Sequence, residues 1–205
     1  MPSFSFHSYL NDVQPVPHGG ATQLVARGLD PSSLDDFSAS LLPIETPLPV
    51  RQALQTINVR SYPDPSCTAL RTILAREHNL SPDHFLCGNG SVELIGAIVR
   101  SCMKEYDKAL IIGPTFGEYE GAVLSIGGEP ITLQTTAVDT ILQGIVEHSP
   151  KLVFVCNPNN PTGHLWSSEE IDRIAAAAPL VLDEAYMGFL QPTKSSMWGL
   201  SLIHI

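Results

Sequence analysis

The chain has 205 residues, of which 43% are hydrophobic and 16% are charged, and this is enough for one well-packed globular domain. Its net charge of −10 argues against a general binder of nucleic acid or anionic membranes, because both need a basic surface. A small phosphate ligand is not excluded, since local backbone N–H groups can hold it whatever the overall charge.

No pair of the four cysteines has C-x-x-C spacing, which predicts reduced thiols in a cytosolic, cytoplasmic protein. The first ten residues show no signal-peptide pattern, and no apolar run approaches the roughly 18 residues of a membrane span. The seven histidines are scattered without metal-ligand spacing, so no metal site is predicted.

The chain up to residue 49 is rich in proline, serine and glycine, which predicts an extended N-terminal arm with at most one short helix. From residue 50 the apolar pattern becomes regular, and residues 50–205 are predicted to form one domain. Helices are predicted at 51–57, 67–78, from 91 onward, at 117–125, 140–147 and 168–178. Strands are predicted at 85–87, 109–112, 130–133, 152–156, 180–182 and 201–205. Ser167 and Glu170 form a capping-box pattern before the last helix.

Alternating strands and helices predict an α/β fold with a mostly parallel sheet. In such sheets a ligand binds at the carboxyl ends of the strands. Four short motifs occupy that position in this sequence, each directly after a predicted strand.

The first motif is Gly88-Asn89-Gly90-Ser91, which opens a predicted helix. Glycines allow close approach of a ligand to the backbone, and the first N–H groups of a helix lack internal partners, so the motif can bind an anion. A tight turn with a helix cap is the alternative interpretation. The second motif, Pro114-Thr115-Phe116-Gly117, places an aromatic ring where it could stack on a flat cofactor or join the core.

The third motif runs from Asn157 to Gly163, and its two prolines and terminal glycine predict a rigid loop whose amides face a ligand. The alternative is an ordinary strand-to-helix turn. The fourth motif is Asp183-Glu184-Ala185-Tyr186. An acid at the end of a buried strand is costly unless it is paired, and a pyridinium nitrogen is a suitable partner. A solvated or helix-capping acid is the alternative.

The order GNGS, PTFGEY, NPNNPTG and DEAY resembles the fold-type I enzymes that depend on pyridoxal phosphate (PLP), in the class I and II aminotransferase group. Within it the chain is similar to histidinol-phosphate aminotransferases. It is more similar to the threonine-phosphate decarboxylases of cobalamin synthesis at 18–20, 34–39 and 62–65. The resemblance covers 18–205. It implies a three-layer α/β sandwich, the large PLP-binding domain, at 50–205, truncated and without the small C-terminal domain.

The resemblance implies PLP as cofactor and assigns residues to it. Gly90, Ser91 and Val92 would hold the cofactor phosphate at the helix N-terminus, and Phe116 would stack on the pyridine ring. Tyr62 would reach the phosphate of a neighbouring subunit's cofactor, which implies a homodimer of the parent enzyme.

The same resemblance implies that Asn160 and Tyr186 hydrogen-bond the ring hydroxyl. Asp183 would pair with the pyridine nitrogen and keep it protonated, so that the ring works as an electron sink. Asp183 and Tyr186 are thus the implied catalytic residues that this chain contains.

The family also needs a lysine that forms a Schiff base with the cofactor. Lys104, Lys108 and Lys151 are predicted at the wrong edge of the sheet, and Lys194 lies in a short loop, where an exposed lysine is the commoner outcome. The chain is therefore expected to be an N-terminal fragment that ends before the catalytic lysine and is inactive alone.

The parent enzyme is expected to act on a small amino-acid phosphate, by transamination or by decarboxylation. Ser40 and Leu42 stand where the decarboxylases usually carry asparagines, which leaves the exact substrate open. One alternative is an inactive protein of this fold with a binding role only. Another is a nucleotide-binding module built on GNGS, although that motif fits neither G-x-G-x-x-G nor the Walker pattern.

Overall fold

The structure is a computed structural model that describes residues 7–16, 19–35, 37, 40, 44–190 and 203–204. Its helices of six residues or more are α1 (Ala21–Ala26), α2 (Leu48–Gln55), α3 (Thr68–His78), α4 (Ser91–Cys102), α5 (Glu118–Leu124), α6 (Val138–His148) and α7 (Ser168–Ala177). Its strands are β1 (Lys108–Gly113), β2 (Glu129–Gln134), β3 (Leu152–Cys156), β4 (Leu180–Asp183) and β5 (Ile203–His204).

The strands form one sheet in the order β2-β1-β3-β4-β5, and every pair is parallel. All residues of β3 and β4 are buried, as expected for parallel strands covered on both faces. The predicted parallel α/β sheet is therefore confirmed.

Alternate residues of the central strands face two different apolar clusters, because side chains alternate across a strand. Leu110 and Val153 pack with the apolar residues of α6 and α7 on one face. Ile111 and Phe154 pack with those of α4 and α5 on the other. Two helical layers enclose the sheet, which confirms the predicted three-layer sandwich.

Helix α7 begins at the capping box that the sequence predicts. The Ser167 hydroxyl accepts a hydrogen bond from the Glu170 N–H at 3.3 Å, and the Glu170 carboxylate accepts one from the Ser167 N–H at 2.8 Å. These two bonds satisfy donors that the first turn of a helix leaves free.

Two predicted elements differ from the structure. Residues 85–87 are not a strand. Phe85 has an extended backbone, but the segment pairs with no strand among the described residues. Helix α2 begins at Leu48 instead of residue 51, since Pro49 is tolerated in the first turn of a helix.

Several sequence predictions fall on positions that the structure does not describe. These are His18, Asp36, Ser38, Ala39, Leu42, Lys194, and positions 201, 202 and 205 of the last predicted strand. The prediction of an arm at 1–49 and a domain at 50–205 stays untested. No helix in the described part of the chain is both long and apolar enough to cross a membrane.

Candidate functional site

The loops that follow β1, β3 and β4 meet at the carboxyl edge of the sheet. The chain leaves β1 toward β2 on one side, and β3 then pairs with β1 on the other side. A crevice opens where the order of strands reverses in this way, and it is the usual ligand site of open α/β sheets. The second, third and fourth motifs all occupy this place.

Asp183 ends β4 and is only 3% exposed. One carboxylate oxygen, Oδ2, accepts a hydrogen bond from the Tyr119 hydroxyl at 2.7 Å. The other, Oδ1, accepts one from the Ala185 backbone N–H at 3.0 Å. Both bonds orient the carboxylate, but no Lys, Arg or His among the described residues forms an ion pair with it. A buried carboxylate of this kind is suited to a cationic ligand.

Tyr119 stands behind this carboxylate and is fully buried in α5. Its ring stacks on Phe154 of β3, with centroids 5.1 Å apart, and meets the Phe116 ring edge-on at 5.7 Å. Burial first, and then the negative charge of Asp183, raise the pKa of Tyr119 well above its ordinary value. Tyr119 therefore stays a hydrogen-bond donor to Asp183.

Cys156 is the last residue of β3 and directly precedes the third motif. It is 3% exposed, and its thiol donates to the Pro158 carbonyl oxygen at 3.3 Å. Burial is the main cause that raises the pKa of this thiol. A hydrogen bond from the Asn160 backbone N–H lowers the pKa, and the negative charge of Asp183 raises it further. The thiol is thus a neutral, small packing group and not a nucleophile.

Asn159 joins the loops after β1 and β3. Its amide oxygen accepts from the Thr115 hydroxyl at 2.7 Å, and its amide nitrogen donates to the Pro114 carbonyl at 2.9 Å and to the Thr162 hydroxyl at 2.7 Å. These bonds tie two separate loops into one rigid wall.

Asn157 fixes the base of the same loop. It is 1% exposed, its side-chain oxygen accepts from the Trp166 N–H at 2.9 Å, and its amide donates to the Trp166 carbonyl at 3.4 Å. Its backbone N–H also donates to the Asp183 carbonyl at 2.8 Å, which holds the third and fourth motifs side by side.

The first motif approaches the same edge through α4. A short connection leads from the end of α4 to the start of β1, so α4 runs against the strand direction and its N-terminus points to the carboxyl edge. Gly90 has φ 85° and ψ 175°, and open space lies where its Cβ would be. Glu93 occupies two donors of the loop, because its carboxylate accepts hydrogen bonds from the Asn89 backbone N–H and, at 2.9 Å, from the Asn89 side-chain amide.

Three of the predicted binding groups have polar side-chain atoms free for a ligand. The Ser91 hydroxyl, the side-chain amide of Asn160 and the Tyr186 hydroxyl form no hydrogen bond with any residue that the structure describes, and all three residues are partly exposed. Phe116 is also partly exposed, and its ring lies nearly perpendicular to the Tyr119 ring.

Two predictions concern residues away from this crevice. Lys108 starts β1 and Lys151 directly precedes β3, so both lie at the amino edge, as predicted, and Lys104 belongs to the connection that leads into β1. Tyr62 is 99% exposed, and so is not part of the crevice of its own chain.

The sequence prediction missed the residues that support the site. They are Thr115, Tyr119, Cys156, Asn157 and Asn159. Asn157 and Asn159 carried a usable signal, since asparagines in a proline-rich loop commonly bond to the backbone. Tyr119 is the last residue of the PTFGEY motif, but nothing in the sequence predicted its bond to Asp183, because the two residues lie 64 positions apart in the chain.

Comparisons with known proteins agree with this arrangement. Residues 34–202 match the family model for aminotransferase class I and II. A histidinol-phosphate aminotransferase of Sphingopyxis alaskensis is 33% identical over 180 residues, which are 82% of this chain and 48% of that protein. One from Cytophaga hutchinsonii is 38% identical over 149 residues, or 69% of this chain and 42% of that protein. The chain thus spans about half the length of these curated relatives.

Solved structures with the same fold include two that bear on the sequence predictions. Histidinol-phosphate aminotransferase from Sinorhizobium meliloti, in complex with pyridoxal-5'-phosphate, has a TM-score of 0.64 and 29% identity over 70% of this chain and 41% of its own. L-threonine-O-3-phosphate decarboxylase from Porphyromonas gingivalis has a TM-score of 0.61 and 27% identity over 69% of this chain and 46% of its own.

Proposed function

Because the chain belongs to the class I and II aminotransferase family, we propose that it forms the cofactor-binding part of a PLP-dependent enzyme that acts on a small amino-acid phosphate. The observation that carries the proposal is the buried, oriented Asp183 carboxylate without a basic partner in the described part of the chain. Bound PLP would supply an electron-withdrawing pyridinium ring.

The residues at the carboxyl edge suit this cofactor in charge and in the polar and aromatic groups that they offer. Asp183 would hold the proton on the pyridine nitrogen, and Tyr119 and Ala185 would keep the carboxylate in place. Phe116 offers a ring for stacking, and the free polar atoms of Asn160 and Tyr186 suit the ring hydroxyl.

The phosphate of the cofactor would lie at the start of α4. The first N–H groups of this helix of 12 residues would face the crevice, since the direction of α4 brings its N-terminus to the carboxyl edge, and such groups bind anions together with the helix dipole. Gly90, Ser91 and Val92 would provide these N–H groups and one hydroxyl. Gly90 suits the place because a residue with a side chain is strained at its positive φ.

Two activities remain as candidates for the intact protein, amino transfer and decarboxylation. The curated relatives favour histidinol phosphate as the type of substrate, and a solved relative favours threonine phosphate. Assays of amino transfer to a 2-oxo acid and of carbon dioxide release, with both phosphorylated substrates, separate the two. If PLP binds but neither reaction occurs, we would conclude that the protein is an inactive member of this fold.

The homodimer is part of the same proposal. Tyr62 is 99% exposed, which leaves its hydroxyl available to a cofactor in a second subunit. Mixing a Tyr62→Phe subunit with an Asp183→Asn subunit tests this, since a mixed dimer would carry one site with both changes and one with neither.

We further propose a cytoplasmic protein, because the four cysteines are free thiols, and a role in cobalamin synthesis if decarboxylation is the activity.

Asp183→Asn in the intact protein is the decisive test of the cofactor role. The amide can keep both hydrogen bonds, donating to the Tyr119 oxygen and accepting from the Ala185 N–H, so the unliganded protein should change in stability by less than about 1 kcal/mol. Loss of the charge should weaken PLP binding at least about tenfold and slow turnover at least about a hundredfold, since a broken buried charge pair costs about 3–5 kcal/mol.

Asp172→Asn is the matched control, because Asp172 is an exposed acid on α7. It should change neither PLP affinity nor turnover. Equal PLP affinity and equal rates for the Asp183→Asn and Asp172→Asn proteins would show that Asp183 is a structural acid, and the proposed function would fail.

A further inference from the structure

A small cavity lies behind the third motif, between the carboxyl ends of β1 and β2 and the segment that leads into α7. It offers about 30 Å³ to the centres of water molecules. Thr135, Thr162, His164 and Trp166 are among the residues that line it, and no Asp, Glu, Lys or Arg of the described chain does so. The walls are therefore polar in part, without an acidic group or a permanently cationic one.

His164 contributes a buried polar atom to this cavity. Its Nε2 atom is shielded from solvent and forms no hydrogen bond with any residue that the structure describes. The ring is held in place, because it meets the buried Trp166 ring edge-on with centroids 4.6 Å apart. The backbone is held too, since the His164 carbonyl accepts from the Asn159 N–H at 2.8 Å. Buried polar atoms are normally bonded to protein or to ordered water, so Nε2 calls for a partner inside the cavity.

Two threonine hydroxyls at the cavity have a proton left to donate. The Thr135 hydroxyl accepts from the Ala137 N–H at 3.0 Å. The Thr162 hydroxyl accepts from the Asn159 side-chain amide at 2.7 Å and from the His164 N–H at 3.2 Å. Neither hydroxyl donates to an acceptor within the described ranges of the chain. Each hydroxyl has one proton, so both protons are available to a small acceptor in the cavity.

We propose that this cavity is a binding site for ordered water, which bonds to Nε2 of His164 and to the hydroxyls of Thr135 and Thr162. One buried water needs roughly 10–15 Å³ of such space, so the cavity holds one or two. Water both donates and accepts, so it matches Nε2 in either tautomer and accepts from the threonines. An apolar ligand would leave these polar atoms without partners, and a metal cation would find no carboxylate in the walls.

The bound water would connect the third motif to the chain that follows β2. In the described part of the chain no direct hydrogen bond joins Thr135 or Thr136 to this loop. The order β2-β1-β3-β4 places β2 and β4 on opposite sides of β3. The water would therefore hold the loop that carries Asn160 from the side opposite to Asp183, and it would do so with or without a cofactor.

A high-resolution crystal structure of the intact, cofactor-free protein tests the proposal directly. It should show water density about 2.7–3.2 Å from Nε2 of His164 and from at least one of the two threonine hydroxyls. His164→Gln keeps a polar atom at the end of the side chain and should retain the water, whereas His164→Leu should lose it. A direct bond from Nε2 to a protein atom, or a cavity without density beside well-ordered surface waters, would overturn the proposal. The same water in the same place in His164→Leu would also overturn it.

Urea unfolding of the same proteins provides a second measurement. His164→Leu should raise the equilibrium constant for unfolding about 5–30-fold, because the threonine hydroxyls lose the water that they bond to. His164→Gln should raise it much less. His148→Leu is the matched control, since the His148 side chain is 26% exposed and lies outside the cavity, and it should also have a much smaller effect. Equal effects of His164→Leu and His164→Gln would contradict the proposal.

A second pair of variants serves if His164→Leu does not fold. Thr135→Ser keeps the hydroxyl and should retain the water, whereas Thr135→Val removes the hydroxyl and should lose it or displace it. Unchanged water density in Thr135→Val would overturn the assigned site. Neither the crystal structures nor the unfolding curves need bound PLP, so the result does not depend on the proposed function.

Discussion

The hydrogen bond between Tyr119 and Asp183 leads to a sharp stability prediction. Tyr119→Phe removes one hydroxyl from a fully buried position and leaves the ring able to stack on Phe154. The Asp183 oxygen that accepted at 2.7 Å then stays buried and loses its donor. Hydrogen bonds to charged groups contribute about 1.5–3 kcal/mol, so the free energy of unfolding should fall by about that amount.

Urea unfolding of the intact, cofactor-free protein, followed by circular dichroism, measures this change as a lower midpoint at constant slope. Tyr106→Phe is the matched control, because Tyr106 is 73% exposed and should lose less than about 0.5 kcal/mol. Combining Tyr119→Phe with Asp183→Asn should cost less than the sum of the two single changes, since the charged acceptor is already gone. A loss for Tyr119→Phe as small as that for Tyr106→Phe would refute the reasoning.

Three further predictions concern stability. The pKa values of Tyr119 and Cys156 are raised in the folded state, so their contribution to the free energy of unfolding is fully present below the ordinary pKa values of 10.0 and 9.0 and is lost as the pH rises above them. The free energy of unfolding above pH 10 should therefore depend less on pH in Tyr119→Phe. Ser167→Ala should lower the stability by about 1 kcal/mol through loss of the helix cap, whereas Ser168→Ala, at an exposed position, should have little effect; equal effects would contradict the capping role. Asn159→Ala removes three side-chain hydrogen bonds and should lower the free energy of unfolding by about 2–3 kcal/mol. Asn160→Ala should lower it by less than about 0.5 kcal/mol in the cofactor-free protein. Thermal unfolding in which Asn160→Ala is the more harmful change would contradict the role of Asn159.

The sequence is sufficient to predict the strands β1, β3 and β4, because each is a short apolar run with a turn signal behind it. The capping box of α7 is equally visible, since both of its partners lie within one helical turn. The order of elements also predicts correctly that the motifs meet at one edge, as parallel strands present all their carboxyl ends together.

Other features depend on contacts that no local pattern contains. Residues 85–87 have the apolar character of a strand, but a strand exists only where a partner supplies hydrogen bonds. Tyr119 is an ordinary aromatic residue of α5 in the sequence, and only the packing of α5 on β3 brings its hydroxyl to Asp183. The side-chain amide of Asn159 likewise finds its partners 44 and 45 positions earlier in the chain.

The bonds of Asn159 have an evolutionary consequence. Two of its partners belong to the loop after β1, and one of these is the backbone carbonyl of Pro114, which cannot exchange its role as an acceptor. An aspartate at this position would face that carbonyl with a second acceptor, whereas Thr115 could adapt by rotating its hydroxyl. In related sequences we therefore expect position 159 to keep a side-chain donor for the Pro114 carbonyl, so that the two loops diverge as one unit.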